Sequence, residues 1–417
     1  MSGFNKALAA LTDKNGVPIL PIISDMSGRE NAVLIVNLAC DDECAQINAH
    51  IATQYAETAA VGIASIARAG GCDEIIIYSG QTDASKLVEA VKTDIPVTVM
   101  QGPCSPVLRD ETALYSVMDT GIIRVNRAEL DYACGFLSYG YHGRPTLVID
   151  GECAYQAGRL YGDQDAQMTK LVCVINGDTS VIKEVPVGTS AAELLKEYEI
   201  SGQVLIGGTR GRLTAAEALE DTHIGFGHEY DSVKIFGGGD CIVNELASFY
   251  AKVRELSCGK CVMCREGSWQ LSTILSDITT GRSKRDDIAL VEDISPLVHV
   301  GALCLFGKNM VLPVMTAAAL CREEFERHVI GRTCAAGRCA GLMKYVIDPA
   351  VCTGCGECID ACEEDAIDGK DGFIHVIDEA MCEKCGDCVS ACEAGAIKLD
   401  GGNIRTPKKP IRVGRFN

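Results

Sequence analysis

Apolar positions along this chain change rhythm several times, and each change marks a boundary. Val33 to Cys40 (VLIVNLAC) is an unbroken apolar run of strand length, Glu74 to Tyr78 (EIIIY) a second, and Pro96 to Met100 a third. Between them, Gln46 to Ala69 and Ala84 to Lys92 read as helices. This β-α-β-α-β order predicts an α/β layer with largely parallel strands. Near Met168 the pattern shifts to a small β-rich unit: Leu171 to Ile175, a turn at 185–188, one helix over Ser190 to Tyr198, and Gln203 to Ile206. From about 243 to 330 the helical period dominates, residues 345–400 repeat internally, and the end is basic.

The internal repeat is built on cysteine. Cys352, Cys355, Cys358 and Cys362 recur thirty residues later as Cys382, Cys385, Cys388 and Cys392, each set reading C-x2-C-x2-C-x3-C. A cubane needs four thiolates around one small body. The tight loop supplies three, and the fourth of each set reaches the other cluster. The spacing predicts one [4Fe–4S] cluster on Cys352, Cys355, Cys358 and Cys392, and another on Cys362, Cys382, Cys385 and Cys388. A pair of zinc sites is the competing reading, and the duplicated eight-cysteine spacing weighs against it.

Composition narrows the possibilities. The 417 residues carry 23 cysteines and a net charge of −19. That charge argues against nucleic-acid binding and against docking on an anionic membrane. No run approaches the ~18 apolar residues of a membrane span, and the N-terminus lacks the layout of a signal peptide. A cytoplasmic location is expected, where dense cysteine reads as metal ligation rather than disulfides. So many oxidisable ligands suit an anaerobe.

Two further ligand sets stand upstream. The stretch SCGKCVMCREG (257–267) supplies Cys258, Cys261 and Cys264, and Cys304 in GALCLFG (301–307) is the natural fourth ligand of a third [4Fe–4S] cluster, returned by the intervening helices. Cys321, His328, Cys334 and Cys339 form C-x6-H-x5-C-x4-C, with positions 321 and 328 two turns apart on one helix face. One imidazole and three thiolates suit a closed tetrahedral zinc site. Of the other cysteines, Cys40, Cys44, Cys72, Cys104, Cys134, Cys153, Cys173 and Cys241, most read as small buried apolar residues.

SCGKCVMCREG followed by GALCLFG resembles the flavoprotein (NADH-binding) subunit of respiratory complex I. It also resembles the corresponding beta subunit of electron-bifurcating hydrogenases and NAD-linked formate dehydrogenases, whose hydrogenase branch adds a C-terminal two-cluster ferredoxin. The resemblance implies an α/β multidomain chain. Its expected parts are a degenerate Rossmann-like flavin/NAD-type domain (1–165), a β-grasp (SLBB-like) domain (168–235), a helical-bundle [4Fe–4S] domain (240–330), a linker with zinc ligands (331–344), a bacterial two-[4Fe–4S] ferredoxin domain (345–400) and a basic tail (401–417). The family's Gly-rich flavin loop is mostly missing from Ser2-Gly3-Phe4-Asn5, and its second flavin segment is replaced by the run from Asn37 through Cys40 to Cys44. Its GEETAL element is Arg109-Asp110-Glu111-Thr112-Ala113-Leu114 here, and Ile149 and Asp150 replace a pair of Asn. Close backbone approach to a phosphate or isoalloxazine needs Gly, and an added Asp repels phosphate.

The expected function is therefore an iron–sulfur electron-transfer subunit of a soluble multisubunit oxidoreductase, with three [4Fe–4S] clusters, a zinc ion, no FMN or NAD, and no substrate site of its own. Expected partners are a thioredoxin-like [2Fe–2S] subunit, a catalytic subunit (hydrogenase, formate dehydrogenase or flavin transhydrogenase) and a soluble ferredoxin. One alternative is an FMN-containing NAD(P)H dehydrogenase subunit with divergent contacts from Asn37 and Glu111. Another is an assembly scaffold. The cationic tail is a candidate for docking on an acidic partner surface.

Overall fold

The structure, a computed structural model, describes residues 8–416 apart from positions 10, 14, 43, 44, 127–139 and 164. The expectations for Ser2 to Asn5, Cys44 and Cys134 therefore lie outside the described residues. The chain forms two compact units: Met1–Gly237 with Phe249–Leu271 and Val291–Leu320, and Gly238–Ser248 with Ser272–Leu290 and Cys321–Asn417.

The first unit holds a four-stranded sheet in the order β3-β2-β1-β4, from β1 (Val33–Asn37), β2 (Glu74–Gly80), β3 (Val97–Gln101) and β4 (Thr146–Asp150). All three pairings are parallel, as the apolar runs predict. Every residue of β1 is buried, as a central parallel strand requires. The edge strand β3 is half-exposed. The long helix expected over Gln46 to Ala69 is two helices, α1 (Ile47–Gln54) and α2 (Ala56–Ala69). They part at Tyr55, whose non-helical backbone sets its ring 4.7 Å from that of Tyr155. Tyr155 lies on α3 (Gly151–Gly162), which crosses α2 at backbone contact distance. An added Cβ on Gly62 would stand 1.9 Å from the Ala154 carbonyl oxygen, and one on Gly158 1.8 Å from that of Thr58.

A second sheet in this unit has the order β6-β5-β9-β7-β8, from β5 (Thr169–Asn176), β6 (Thr179–Pro186), β7 (Val204–Ile206), β8 (Arg212–Thr214) and β9 (Ser232–Ile235). Strand β5 pairs antiparallel with β6 and parallel with β9. Its core includes Val172, Val174, Leu194, Leu195, Ile206 and Val233, with Leu194 and Leu195 on the short helix Ala191–Leu195.

In the second unit the cysteine repeat folds around two small sheets, β10 (Lys344–Ile347) with β14 (Ile397–Asp400) and β11 (Ile367–Asp368) with β13 (Val376–Ile377). The basic tail is part of this fold: β15 (Ile411–Arg412) pairs antiparallel with β12 (Phe373–Ile374). Among the described residues no helix is long and apolar enough to cross a membrane.

The α2–α3 contact gives a direct test. Gly158→Ala forces a methyl into the Thr58 backbone and should destabilise the first unit by about 1–3 kcal/mol or more. Gly162→Ala, with nothing within 4 Å, should leave stability unchanged. Urea unfolding followed by circular dichroism separates the two.

Candidate metal centres

The expected helical thiol group comes together within the first unit. Cys258, Cys261, Cys264 and Cys304 line one small cavity with Val107, Leu303 and Phe306. Helix Val262–Thr279 begins immediately after Cys261, and Cys304 is the N-cap of the short helix Leu305–Asn309. The helix start at Cys261 favours negative charge. The Gly307 amide donates to Cys304 Sγ at 3.4 Å, and Ser257 Oγ lies 3.3 Å from Cys264 Sγ. Donation from the Cys264 thiol, with the Leu303 amide, pulls Cys261 down to about 5, whereas burial pushes Cys304 up to about 11. The four converging thiols and the amides aimed at them fit an anionic [4Fe–4S] cluster.

The repeat gathers its cysteines in the crossed pattern read from spacing. Burial, then the charges of Cys352, Cys392 and Cys355, raise the Cys358 thiol, and burial, then those of Cys382, Cys385 and Cys362, raise Cys388, so each set of four lies within electrostatic reach. Each fourth sulfur accepts a backbone amide: Ala366 to Cys362 at 3.4 Å, Ala396 to Cys392 at 3.3 Å. Gly354 is required by crowding, since its Cβ would sit 2.8 Å from the Phe373 backbone. Its counterpart Lys384 adopts the same left-handed region.

Sequence reasoning missed His375. Only 2% exposed, its Nδ1 lies 3.4 Å from Cys358 Sγ. An iron-bound thiolate accepts and cannot donate, so the ring must donate through Nδ1–H there. Gly369 makes room for it, because a Cβ at that position would meet His375 Cδ2 at 1.8 Å.

The four-donor set differs from expectation at one position. His328, Cys334 and Cys339 are brought together with Cys241, not with Cys321, and all four donor atoms lie within 4.8 Å of one another. Helix Arg322–Val329 starts only after Cys321, whose backbone is non-helical (φ −116°, ψ 33°). The two-turn periodicity therefore does not hold at Cys321. Its buried thiol is pushed up to about 12 by burial and the Glu324 charge. Cys241 had been read as a small buried residue. It stands just ahead of helix Ile242–Leu256, where the Asn244 amide donates to its sulfur at 3.4 Å. The sequence distance of 87 residues to His328 hid it.

Cys241 Sγ is 3.2 Å from His328 Nε2 and 3.7 Å from Cys339 Sγ, and Cys339 Sγ is 3.4 Å from His328 Nε2. Tetrahedral zinc, with bonds of about 2.0–2.3 Å, spaces its ligands at about 3.3–3.8 Å. The Glu324 carbonyl, 2.8 Å from His328 Nδ1, fixes the tautomer that aims a lone pair inward from Nε2. Burial lowers the His328 pKa, and its Cys241 partner outweighs that, leaving it at about 9.

The parallel sheet offers the remaining site. Its strand order reverses between β1 and β4, and open α/β sheets bind nucleotides at the carboxyl ends beside such a point. Asn37 and Asp150 end those two strands. They line a cavity of about 30 Å³ with Asp13, Cys40, Arg109 and Glu111. Arg109 fills this place: its Nε donates to the Cys40 carbonyl at 2.9 Å and its Nη2 to Asp231 at 2.7 Å. Burial works against the Arg109 charge, and Asp231 more than restores it. Asp231 is also paired with Lys170, which is fully buried and bonded to Glu152 at 2.7 Å. The Asn37 amide group is held by the Leu108 carbonyl and the Ala39 amide. Ligand pockets occupy about 300–1,000 Å³. Among the described residues this cavity is smaller than that, and Asp13, Glu111 and Asp150 lie on its rim.

These centres define an iron–sulfur protein of mixed α/β fold with a ferredoxin-type half. The chain is homologous to the hydrogenase component HndC and to the F-type components of NADH-quinone oxidoreductases. Residues 242–328 match the NADH-ubiquinone oxidoreductase-F iron-sulfur binding region, and residues 347–397 the 4Fe-4S dicluster domain. The NADP-reducing hydrogenase subunit HndC of Solidesulfovibrio fructosivorans is 31% identical over 247 residues, 54% of this chain and 48% of that protein. The F-type NADH-quinone oxidoreductase component of Streptomyces coelicolor is 30% identical over 103 residues, 25% of this chain and 23% of that one. The chain thus spans about half the length, or less, of these curated relatives. A chain of an NAD+-reducing [NiFe]-hydrogenase in the H2-reduced state shares the fold, with a TM-score of 0.67 at 21% identity, over 78% of this chain and 62% of that one.

Cys241→Ser removes one of the four gathered donors and Cys321→Ser none. Metal analysis should find zinc lost from the first variant and retained at the wild-type level in the second.

Proposed function

We propose that this chain is an electron-relay subunit of a soluble, cytoplasmic oxidoreductase complex, carrying three [4Fe–4S] clusters and one zinc ion. The observation that carries the reading is the gathering of twelve cysteines into three groups of four, each with amides or hydroxyls directed at sulfur. A [4Fe–4S] cluster supplies one-electron transfer, and the protein tunes its potential through hydrogen bonds, charge and exposure. The chain's own residues hold the sulfurs, direct amides at them and screen the buried ones from water. No hydride step is assigned to the chain, since Arg109, bonded to Asp231, lines the nucleotide position of the sheet. The first unit then serves as a cluster-bearing platform, its five-stranded sheet being the β-grasp domain.

By likeness to hydrogenase and complex I subunits, the partners are a thioredoxin-like [2Fe–2S] subunit and a catalytic subunit of hydrogenase, formate dehydrogenase or flavin-transhydrogenase type. Zinc on Cys241, His328, Cys334 and Cys339 ties the segment before helix Ile242–Leu256 to the segment leading into the ferredoxin repeat.

Anaerobically purified protein should contain about twelve irons and twelve sulfides per chain, with flavin far below one equivalent. Stoichiometric FMN in the acid extract would overturn the relay assignment in favour of an NAD(P)H dehydrogenase. A second outcome concerns His375. Removing a hydrogen bond to a cluster sulfur destabilises the more negative reduced state, so His375→Leu should lower the midpoint potential of one ferredoxin-type signal and leave the others in place. Redox titration followed by electron paramagnetic resonance reads this directly.

A further inference from the structure

The two halves of the cysteine repeat face differently charged surroundings. Residues 345–400 contain fourteen Asp and Glu against three Lys, whereas residues 401–417 contain Arg405, Lys408, Lys409, Arg412 and Arg415 and no acid. All five tail cations are exposed. The tail strand pairs with the first half. Through the β12–β15 pairing, Arg412 stands opposite Phe373. The Val413 amide donates to the Gly372 carbonyl at 3.1 Å, and the Gly372 amide donates to the Gly354 carbonyl at 2.9 Å. Gly354 lies between Cys352 and Cys355, and Cys355 is exposed. Lys370 adds a cation 4.4 Å from the centre of the Phe373 ring, which also carries Arg412 at 6.0 Å. The exposed cysteine of the other half, Cys385, sits instead in a pocket with Glu363, Glu364, Glu383 and Asp387.

We propose that the tail strand and Lys370 form the docking surface for a small acidic one-electron carrier, which exchanges electrons at the Cys355 edge of the first thiol group. The proposal rests on reading that group as a [4Fe–4S] cluster. One electron passes between the carrier's centre and the cluster, and no bond forms or breaks. Opposite charge steers encounter and sets orientation. The acidic pocket around Cys385 repels the same carrier, so docking is directed to one half of the repeat. A compact partner fits better than an extended polyanion. Beyond a Debye length of about 10 Å a phosphate chain or an anionic bilayer would lie against the carboxylates of this same domain.

The test uses the full chain and the triple variant Lys408→Glu, Lys409→Glu, Arg415→Glu, whose side chains lie outside the β12–β15 pairing. The probes are an acidic two-cluster ferredoxin and, as a like-charge control, a basic c-type cytochrome. Stopped-flow electron transfer with ferredoxin at low salt should slow by about tenfold or more in the variant, with a flatter salt dependence, at unchanged iron content. Lys370→Gln, outside the tail segment but on the same surface, should slow it by a smaller factor. Salt-dependent binding of ferredoxin, measured by interferometry, should weaken in parallel. An unchanged rate and affinity in the triple variant would overturn the docking surface. So would an equal slowing of the cytochrome reaction in the variant, or binding of anionic vesicles or duplex DNA in place of ferredoxin. Loss of the first group's iron signal from the wild type would instead refute the cluster reading, and the binding measurement would still decide the docking surface.

Discussion

A small metal–sulfur body is held only by thiolates that converge on it from several directions, and chain geometry lets a tight loop provide at most three of them. That constraint explains much of the architecture. The C-x2-C-x2-C loop at Cys258 needs Cys304, which the helices Val262–Thr279 and Asp287–Gly301 bring back. Each loop of the repeat needs the last cysteine of the other, so neither half closes alone. The ferredoxin half shows the energetic side. Its buried core contains Ile347, Ile367, Ile374 and Ile397 together with Cys352, Cys358 and Cys388. Apolar cores this small are marginal without cross-links or metals. Where ligation and folding occur together, the binding free energy becomes folding free energy.

A second constraint acts near the carboxyl ends of the parallel sheet. Buried charges persist only when paired, and removing one partner costs about 3–5 kcal/mol. Arg109, Asp231, Lys170 and Glu152 form one such connected set, with Lys170 fully buried. Arg109, one end of this paired set, lies beside the carboxyl ends of β1 and β4.

Local features were legible in the sequence, and long-range ones were not. The parallel strands followed from unbroken apolar runs such as Val33 to Asn37, and the crossed cysteine grouping followed from spacing alone. Arg109 stood out in the sequence as a bulky cation at the head of the segment 109–114, but its partner Asp231, 122 residues away, gave no signal. Of the expected four-donor set, three members are gathered. Helical periodicity put Cys321 on the face of His328, yet the helix begins one residue too late, and the cysteine that stands with the other three lies 87 residues upstream. His375 was invisible because its contact to Cys358 depends on a loop held open by Gly369. The tail's charge was plain in the sequence, but its pairing with β12 rests on two residues, too few for any periodic pattern.

Duplication explains why the two thiol groups share ligand spacing, and divergence explains why they need not share a potential. Thirty residues on from Gly354 stands Lys384, and thirty on from His375 stands Arg405. One group has an imidazole on a buried sulfur, and the strand that carries Arg412 is hydrogen-bonded next to the loop of its exposed cysteine. The other has carboxylates around its exposed cysteine. Hydrogen bonds to sulfur and nearby positive charge both favour the reduced state of a cluster, and nearby negative charge opposes it. A symmetric repeat has no preferred half, whereas in this one a histidine and a seventeen-residue tail distinguish the two thiol groups.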